Sequence, residues 1–203
     1  MRTGARTKRR IASPCRHRLP PGDAMPRPTF APPAPSAILA DGIRRLAARR
    51  AALSREEILD FCQALRLAPD ELAPYRNFDP AGYRRNRIYA DDGFELLLLC
   101  WLPGQQSRIH NHHGSRCGVL VVEGIASETA FETTPGGAAK TGAARQMAAG
   151  SLLVNEHQDI HQIRNAHDRN LVTLHLYSPP LRQMEIFSPA DFARRIWEPE
   201  YQI

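Results

Sequence analysis

Two histidines one residue apart, His110 and His112, set the strongest constraint on this chain. On a β-strand, residues i and i+2 point to the same face, so an extended backbone here presents two imidazoles side by side. The surroundings favour that backbone. Gly104 stands six residues before the first His and Gly124 twelve after the second. Between the glycines runs Val119-Leu120-Val121-Val122, which suits a buried strand. A third imidazole would complete one face of a metal site. His161, in His161-Gln162-Ile163-Arg164-Asn165, is the preferred candidate; His157 has the same strand parity and is its rival. Imidazole is the commonest protein metal ligand near neutral pH and suits iron, nickel, copper and zinc.

From Tyr83 onward the pattern is β. Strands are expected at 83–90, 94–102, 117–123, 126–132, 151–154, 160–165, 171–177 and 184–187, with turns at Asp91-Asp92-Gly93 and Thr134-Pro135-Gly136-Gly137. Leu96 to Leu99 is continuously apolar, as in a strand covered on both faces. Many short strands separated by turns predict an antiparallel sandwich or barrel, and a jelly roll supplies a mouth for a metal. Helices precede the sheet. Ile38, Leu39, Ile43 and Leu46 form one face of a helix from Ala37 to Arg50. Ser54 and Glu57 form a capping box that opens a second helix with the stripe Ile58, Leu59, Cys62 and Leu65. Both are expected to pack outside the sheet, with Arg44, Arg45, Arg49 and Arg50 on a solvated face. A short helix is expected between Pro189 and Ile203.

Composition matters chiefly for what it rules out. The net charge of +6 comes from residues 1–36, which hold eight bases and one acid; the remainder carries 19 bases and 20 acids. The folded part is therefore almost neutral, and no nucleic-acid partner is expected. Residues 1–36 are rich in Arg and Pro and too poor in large apolar side chains to order themselves, so they read as a disordered tail, part of it upstream of a true start at Met25. Residues 37–203 read as a single domain, helices over 37–76 and a β-barrel over about 83–187. The four cysteines, Cys15, Cys62, Cys100 and Cys117, show no CxxC pairing, which points to a reducing, cytoplasmic location. No run of 18 apolar residues suggests a membrane span.

Spacing narrows the reading further. Gly104, His110, His112 and Gly124 fit the first cupin motif, G-x5-H-x-H followed by an acid and a Gly, but Cys117 occupies the acid's position. His161 and Asn165 fit the H-x3-N of the second motif, although Glu156 and Gln158 replace its Pro and Gly. Together with His175-Leu176-Tyr177-Ser178-Pro179-Pro180 and Tyr83-Arg84-Arg85-Asn86, the pattern resembles the cysteine dioxygenase family over roughly Tyr83 to Phe187.

That resemblance implies a cupin jelly-roll β-barrel with N-terminal helices, acting in cysteine catabolism. It implies ferrous iron, Fe(II), on His110, His112 and His161, and oxidation of L-cysteine by O2 to cysteine sulfinic acid. Carried over residue by residue, Arg85 grips the substrate carboxylate with Tyr83 beside it, Tyr177 stands by the iron, and His175 hydrogen-bonds to Tyr177. Ser178-Pro179 is expected to be cis. In some relatives a cysteine matching Cys117 is joined to the tyrosine as a thioether; many bacterial relatives have Gly there, and here Gly118 follows. Cys117 is thus either the partner of Tyr177 in a crosslink or a free thiol. Trp101 fits a position near the pocket and equally a core aromatic. A small thiol and O2 are the implied partners, and a monomer is expected.

The chemistry of the residues agrees with this outline. Three neutral imidazoles leave a divalent metal its full charge, which favours an anionic, chelating thiolate. A guanidinium holds a carboxylate bidentately. Oxidation of 3-mercaptopropionate is the near alternative, but enzymes for it usually carry Gln where Arg85 stands. A non-catalytic metal-binding cupin sensor would need no Arg–Tyr pair facing the metal. A cupin isomerase or hydrolase needs a carboxylate that the motif lacks.

Overall fold

Serine hydroxyls start both helices. In the computed structural model, which describes residues 34–49, 51–65, 67, 69–134, 137–188 and 194–199, α1 (Ala37–Ala47) begins where Ser36 Oγ accepts the Leu39 amide at 3.3 Å. α2 (Arg55–Ala64) opens with a reciprocal capping box. Ser54 Oγ accepts from the Glu57 amide at 3.2 Å, and Glu57 Oε2 accepts from the Ser54 amide at 2.8 Å. A 3-10 helix, Pro69–Tyr75, follows, with Pro74 inside it.

Twelve strands come next among the described residues: β1 (Arg84–Ala90), β2 (Glu95–Trp101), β3 (Ile109–Asn111), β4 (Arg116–Glu123), β5 (Ile125–Thr134), β6 (Gly137–Lys140), β7 (Arg145–Ala148), β8 (Leu152–Asn155), β9 (Ile160–Arg164), β10 (Leu171–Ser178), β11 (Met184–Phe187) and β12 (Arg194–Trp197). They form two antiparallel sheets. The first runs β1-β2-β10-β4-β8; the second runs β12-β11-β3-β9-β5-β6, with β7 also paired to β5. This is a cupin jelly roll, mainly β with helices before it.

The two-residue period decides which side chain goes where. On β2, Leu96, Leu98 and Cys100 join the helices in one core, whereas Leu97, Leu99 and Trp101 face inward between the sheets. β10 repeats the division, with Val172, Leu174 and Leu176 toward the helices and Leu171 and Tyr177 inward. β2 and β10 are buried along their whole length because α1 and α2 cover one face and the second sheet covers the other. The helices therefore insulate the barrel from outside and leave its interior to the site. Arg44, Arg45 and Arg49 of α1 and its end are exposed, held in ion pairs with Asp41 and Glu57.

Both motif glycines are needed for their backbone. Gly104 and Gly124 have φ of +84° and +83°, which side chains other than Gly adopt at a cost. At Gly124 a Cβ would also come 2.5 Å from the Asn170 carbonyl oxygen. Asp91 closes the β1–β2 turn, its Oδ1 accepting from Gly93 and Phe94 amides at 2.8 and 2.9 Å. The Ser178–Pro179 bond is cis.

Part of the outline needs correction. Of the short helix expected between Pro189 and Ile203, the described part, Arg194–Trp197, is instead a strand paired to β11 from Met184↔Trp197 to Phe187↔Arg194; positions 189–193 and 200–203 lie outside the described residues. The open edge of β11 overrides local preference, and Ile196 and Trp197 are residue types that suit a strand. The β6 and β7 strands were not legible in the Ala- and Gly-rich segment they occupy. The tail read over 1–36 lies outside the described residues apart from 34–36, as do Cys15, Arg50, and Pro135 and Gly136 of the expected turn. No helix among the described residues is long and apolar enough to cross a membrane.

Candidate metal centre

The pairing of β3 with β9 sets His110 directly opposite His161. His112 follows just beyond the end of β3, its amide donating to the His157 carbonyl at 3.2 Å. The three rings converge, with centroids 4.7 Å apart for His110 and His161, 4.9 Å for His112 and His161, and 5.3 Å for His110 and His112. One nitrogen from each lies within 4.8 Å of the others, and all three residues are buried. His157 lies in the exposed turn before β9 and reaches this cluster through its backbone alone among the contacts described. Asn165 ties the cluster's surroundings together: its amide and carbonyl bond to Gln105 and Gly104, and its Nδ2 donates to Trp101 and Arg169 carbonyls.

The outer nitrogens fix which lone pairs face inward. His110 Nδ1 lies 2.8 Å from the Arg108 carbonyl. A carbonyl only accepts, so Nδ1 carries the proton and Nε2 is bare. His161 Nδ1 lies 2.9 Å from Glu128 Oε1, a carboxylate oxygen that only accepts, so its Nδ1 carries a proton and its Nε2 is the nitrogen turned toward the cluster. That atom is 3.2 Å from Nε2 of His112. Burial, with His161 adding repulsion, pushes the His110 pKa down to about 3, and burial likewise drives His112 well below the ordinary value. His110 and His112 are therefore neutral donors near pH 7. Converging imidazole nitrogens in a buried site fit a divalent transition metal.

Sequence reasoning missed the group behind His161. Glu128 on β5 is buried, with Arg145 on β7 paired to its other oxygen and Asn155 Nδ2 3.3 Å from Oε1. Burial opposes its ionisation, but hydrogen bonds from His161 and Arg145 outweigh that and hold the carboxyl at about 2. An acid inside a strand-like stretch was the one available signal.

A second group of side chains approaches from the other sheet. Trp101, Thr173, His175 and Tyr177 form a hydrogen-bonded chain. Trp101 Nε1 donates to Thr173 Oγ1 at 3.0 Å, Thr173 Oγ1 lies 2.9 Å from His175 Nε2, and His175 Nδ1 lies 3.2 Å from the Tyr177 hydroxyl. Indole only donates, so the Thr173 hydroxyl is free to donate onward to Nε2. His175 then carries its proton on Nδ1 and gives it to the phenol oxygen. The phenol's own proton is left for another acceptor. The Tyr177 ring sits 5.4 Å from that of His112. Trp101 also stacks on Tyr83, centroids 4.0 Å apart, so it serves both the core and this chain.

Arg85 on β1 is buried, and its Cζ lies 5.5 Å from the Tyr177 ring centroid; Arg84 and Arg87 remain half-buried. Asn86 turns the other way, its Nδ2 donating to Leu98 and Asn77 carbonyls, which makes it a strut. Cys117 on β4 is paired with Tyr177 on β10, and its Sγ lies 3.7 Å from His175 Nδ1. Burial pushes the Cys117 thiol far up, against the pull of a hydrogen bond with Tyr177, and burial raises the phenol too, so both keep their protons. Gly118 faces α2, where a Cβ would come 2.4 Å from Ile58 Cγ2. Thr173, like Glu128, was not singled out from the sequence.

Comparison with known proteins agrees with this geometry. The sequence model of the family described as cysteine dioxygenase type I matches residues 25–190. Cysteine dioxygenase type 1 of Danio rerio is 29% identical over 138 residues, covering 65% of this chain and 69% of the relative. The Homo sapiens protein of that name is 32% identical over 137 residues, covering 65% and 68%. Among solved structures, an RmlC-like cupin protein from Desulfovibrio desulfuricans is 20% identical, with a TM-score of 0.41, over 58% of this chain and 94% of that one.

Proposed function

The chain belongs to the cysteine dioxygenase type I family, and from that premise we propose that it is a non-haem iron thiol dioxygenase converting L-cysteine and O2 to cysteine sulfinic acid. The observation that carries the substrate is Arg85, a guanidinium buried beside Tyr177, whose ring in turn neighbours His112. Ferrous iron on His110, His112 and His161 would supply the binding of thiolate and the activation of O2. The remaining work belongs to the protein.

Arg85 would hold the substrate carboxylate through paired, charge-assisted hydrogen bonds. A carboxylate and a guanidinium neutralise each other in a site too dry to hold either alone. Tyr177, with its oxygen already accepting from His175, would donate its proton to the reacting end of the substrate and orient it. Thr173 and Trp101 would keep His175 in the tautomer this requires. The surrounding Leu97, Leu99, Val119 and Met184 exclude water, which strengthens each of these contacts. In the overall reaction both oxygen atoms end on sulfur, so no separate reductant is needed.

Oxygen uptake by anaerobically iron-loaded protein, with cysteine, 3-mercaptopropionate and cysteamine compared, tests the substrate. Cysteine is expected to give the highest kcat/KM. A preference for 3-mercaptopropionate, which shares the carboxylate but lacks the amine, would contradict L-cysteine as the substrate, and no uptake with any thiol would support a metal-binding sensor instead.

A further inference from the structure

The three imidazoles are not equivalent behind their metal-facing nitrogens. His110 leans on a neutral carbonyl, His112 Nδ1 is buried with no hydrogen-bond partner among the described residues, and His161 leans on a carboxylate. The cupin motif normally supplies an acid, and here Cys117 stands in its place. We propose that Glu128 is a positioning residue of the metal centre: through Nδ1 of His161 it fixes that ligand's tautomer and brings a negative charge one hydrogen bond behind the metal. This rests on the reading that His110, His112 and His161 hold a metal.

The geometry leaves little freedom. Glu128 Oε1 is 2.9 Å from His161 Nδ1, and a bare Nδ1 would set a lone pair against a carboxylate oxygen. Asn155 Nδ2 lies 3.1 Å from the same Nδ1 and 3.3 Å from Oε1, so its amide proton and that of His161 share one acceptor. Arg145, opposite Glu128 in the β5–β7 ladder, occupies Oε2 and orients the carboxylate. The Glu128 side chain is 7% exposed and that of Arg145 58%, so solvent screens the guanidinium far more than the acid. The carboxylate's charge is therefore felt mainly on the buried side, where His161 conveys it. An imidazole that donates to a carboxylate is a more basic ligand, and such outer partners commonly account for 10–100-fold in metal affinity.

The test is ferrous iron affinity, measured without O2 by competition with a chelator, for wild type, Glu128→Gln and Glu128→Asp. Gln keeps an oxygen for Nδ1 and removes the charge. It is expected to weaken iron binding by about 10–100-fold, with Asp, which keeps the charge, recovering part of the loss. Affinity of Glu128→Gln within about twofold of wild type overturns the proposal. Should that variant not fold, as thermal melting of the metal-free protein will show, zinc-loaded, 15N-labelled wild type decides the matter by NMR. The His161 Nδ1 proton is expected downfield of that of His110; an Nδ1 without a proton, or one upfield of His110, overturns the proposal. Wild type that binds no metal would contradict the three-histidine reading itself, which separates the two failures.

Discussion

Cys117 and Tyr177 stand opposite each other on β4 and β10, both buried and both facing the space between the sheets. The arrangement predicts that turnover in O2 joins them as a thioether. The Cys117 S–H and a ring C–H of Tyr177 are lost, a C–S bond forms, and O2 takes up the electrons and protons. Intact mass should fall by two hydrogens after turnover and should not change in Cys117→Ser. A peptide map in which Cys117 stays free after extended turnover would refute this.

Gly118 decides why Cys117, and not its neighbour, has that position. Its missing side chain makes room for Ile58 of α2. Gly118→Ala is expected to cost about 1–3 kcal/mol by overpacking. Combining it with Ile58→Ala should cost less than the sum, because each change relieves the other. Additive urea-unfolding energies would mean that the helix does not press on this point.

Arg85→Ala is expected to lower kcat/KM for cysteine by at least tenfold, since a hydrogen bond to a charged group contributes roughly 1.5–3 kcal/mol. Cysteamine, which lacks the carboxylate, should lose much less. Equal losses for both substrates would make Arg85 a packing residue.

Iron content separates the two rival histidines. His161→Ala, like His110→Ala and His112→Ala, should lose most of its iron, whereas His157→Ala, altered in an exposed turn, should retain it. Full metal content in purified His161→Ala would contradict the ligand assignment.

The metal-free protein should weaken in acid. The folded His110 value of about 3 lies below its ordinary 6.5, so between them the unfolded chain binds the extra proton and stability falls as pH falls. From pH 7.5 to 5 this one residue should remove about 2 kcal/mol. His112 and His175 shift the same way, and Glu128, held at about 2, adds a further loss below about pH 4.5. Urea unfolding at the two pH values measures it; equal stabilities would mean that these imidazoles are not buried neutral.

Much of this architecture was legible in the chain because it is local. The Leu96–Leu99 run announces a strand covered twice, Ser54 and Glu57 announce a helix start, and Gly104 and Gly124 flank the histidines at backbone angles that Gly tolerates. What stayed hidden depends on partners distant in sequence. Glu128 reads as an ordinary strand acid until β9 brings His161 against it from 33 residues away. Thr173 reads as a polar residue in a buried strand until Trp101, 72 residues away, supplies its donor. The strand at Arg194–Trp197 exists because β11 offers an edge, which no local pattern records.

The most direct test of the proposed activity is the fate of labelled oxygen. Iron-loaded protein given L-cysteine under 18O2 should release cysteine sulfinic acid carrying both labelled atoms, with one O2 consumed per sulfinate formed. Cystine as the main product, or sulfinate with oxygen from water, would contradict the account.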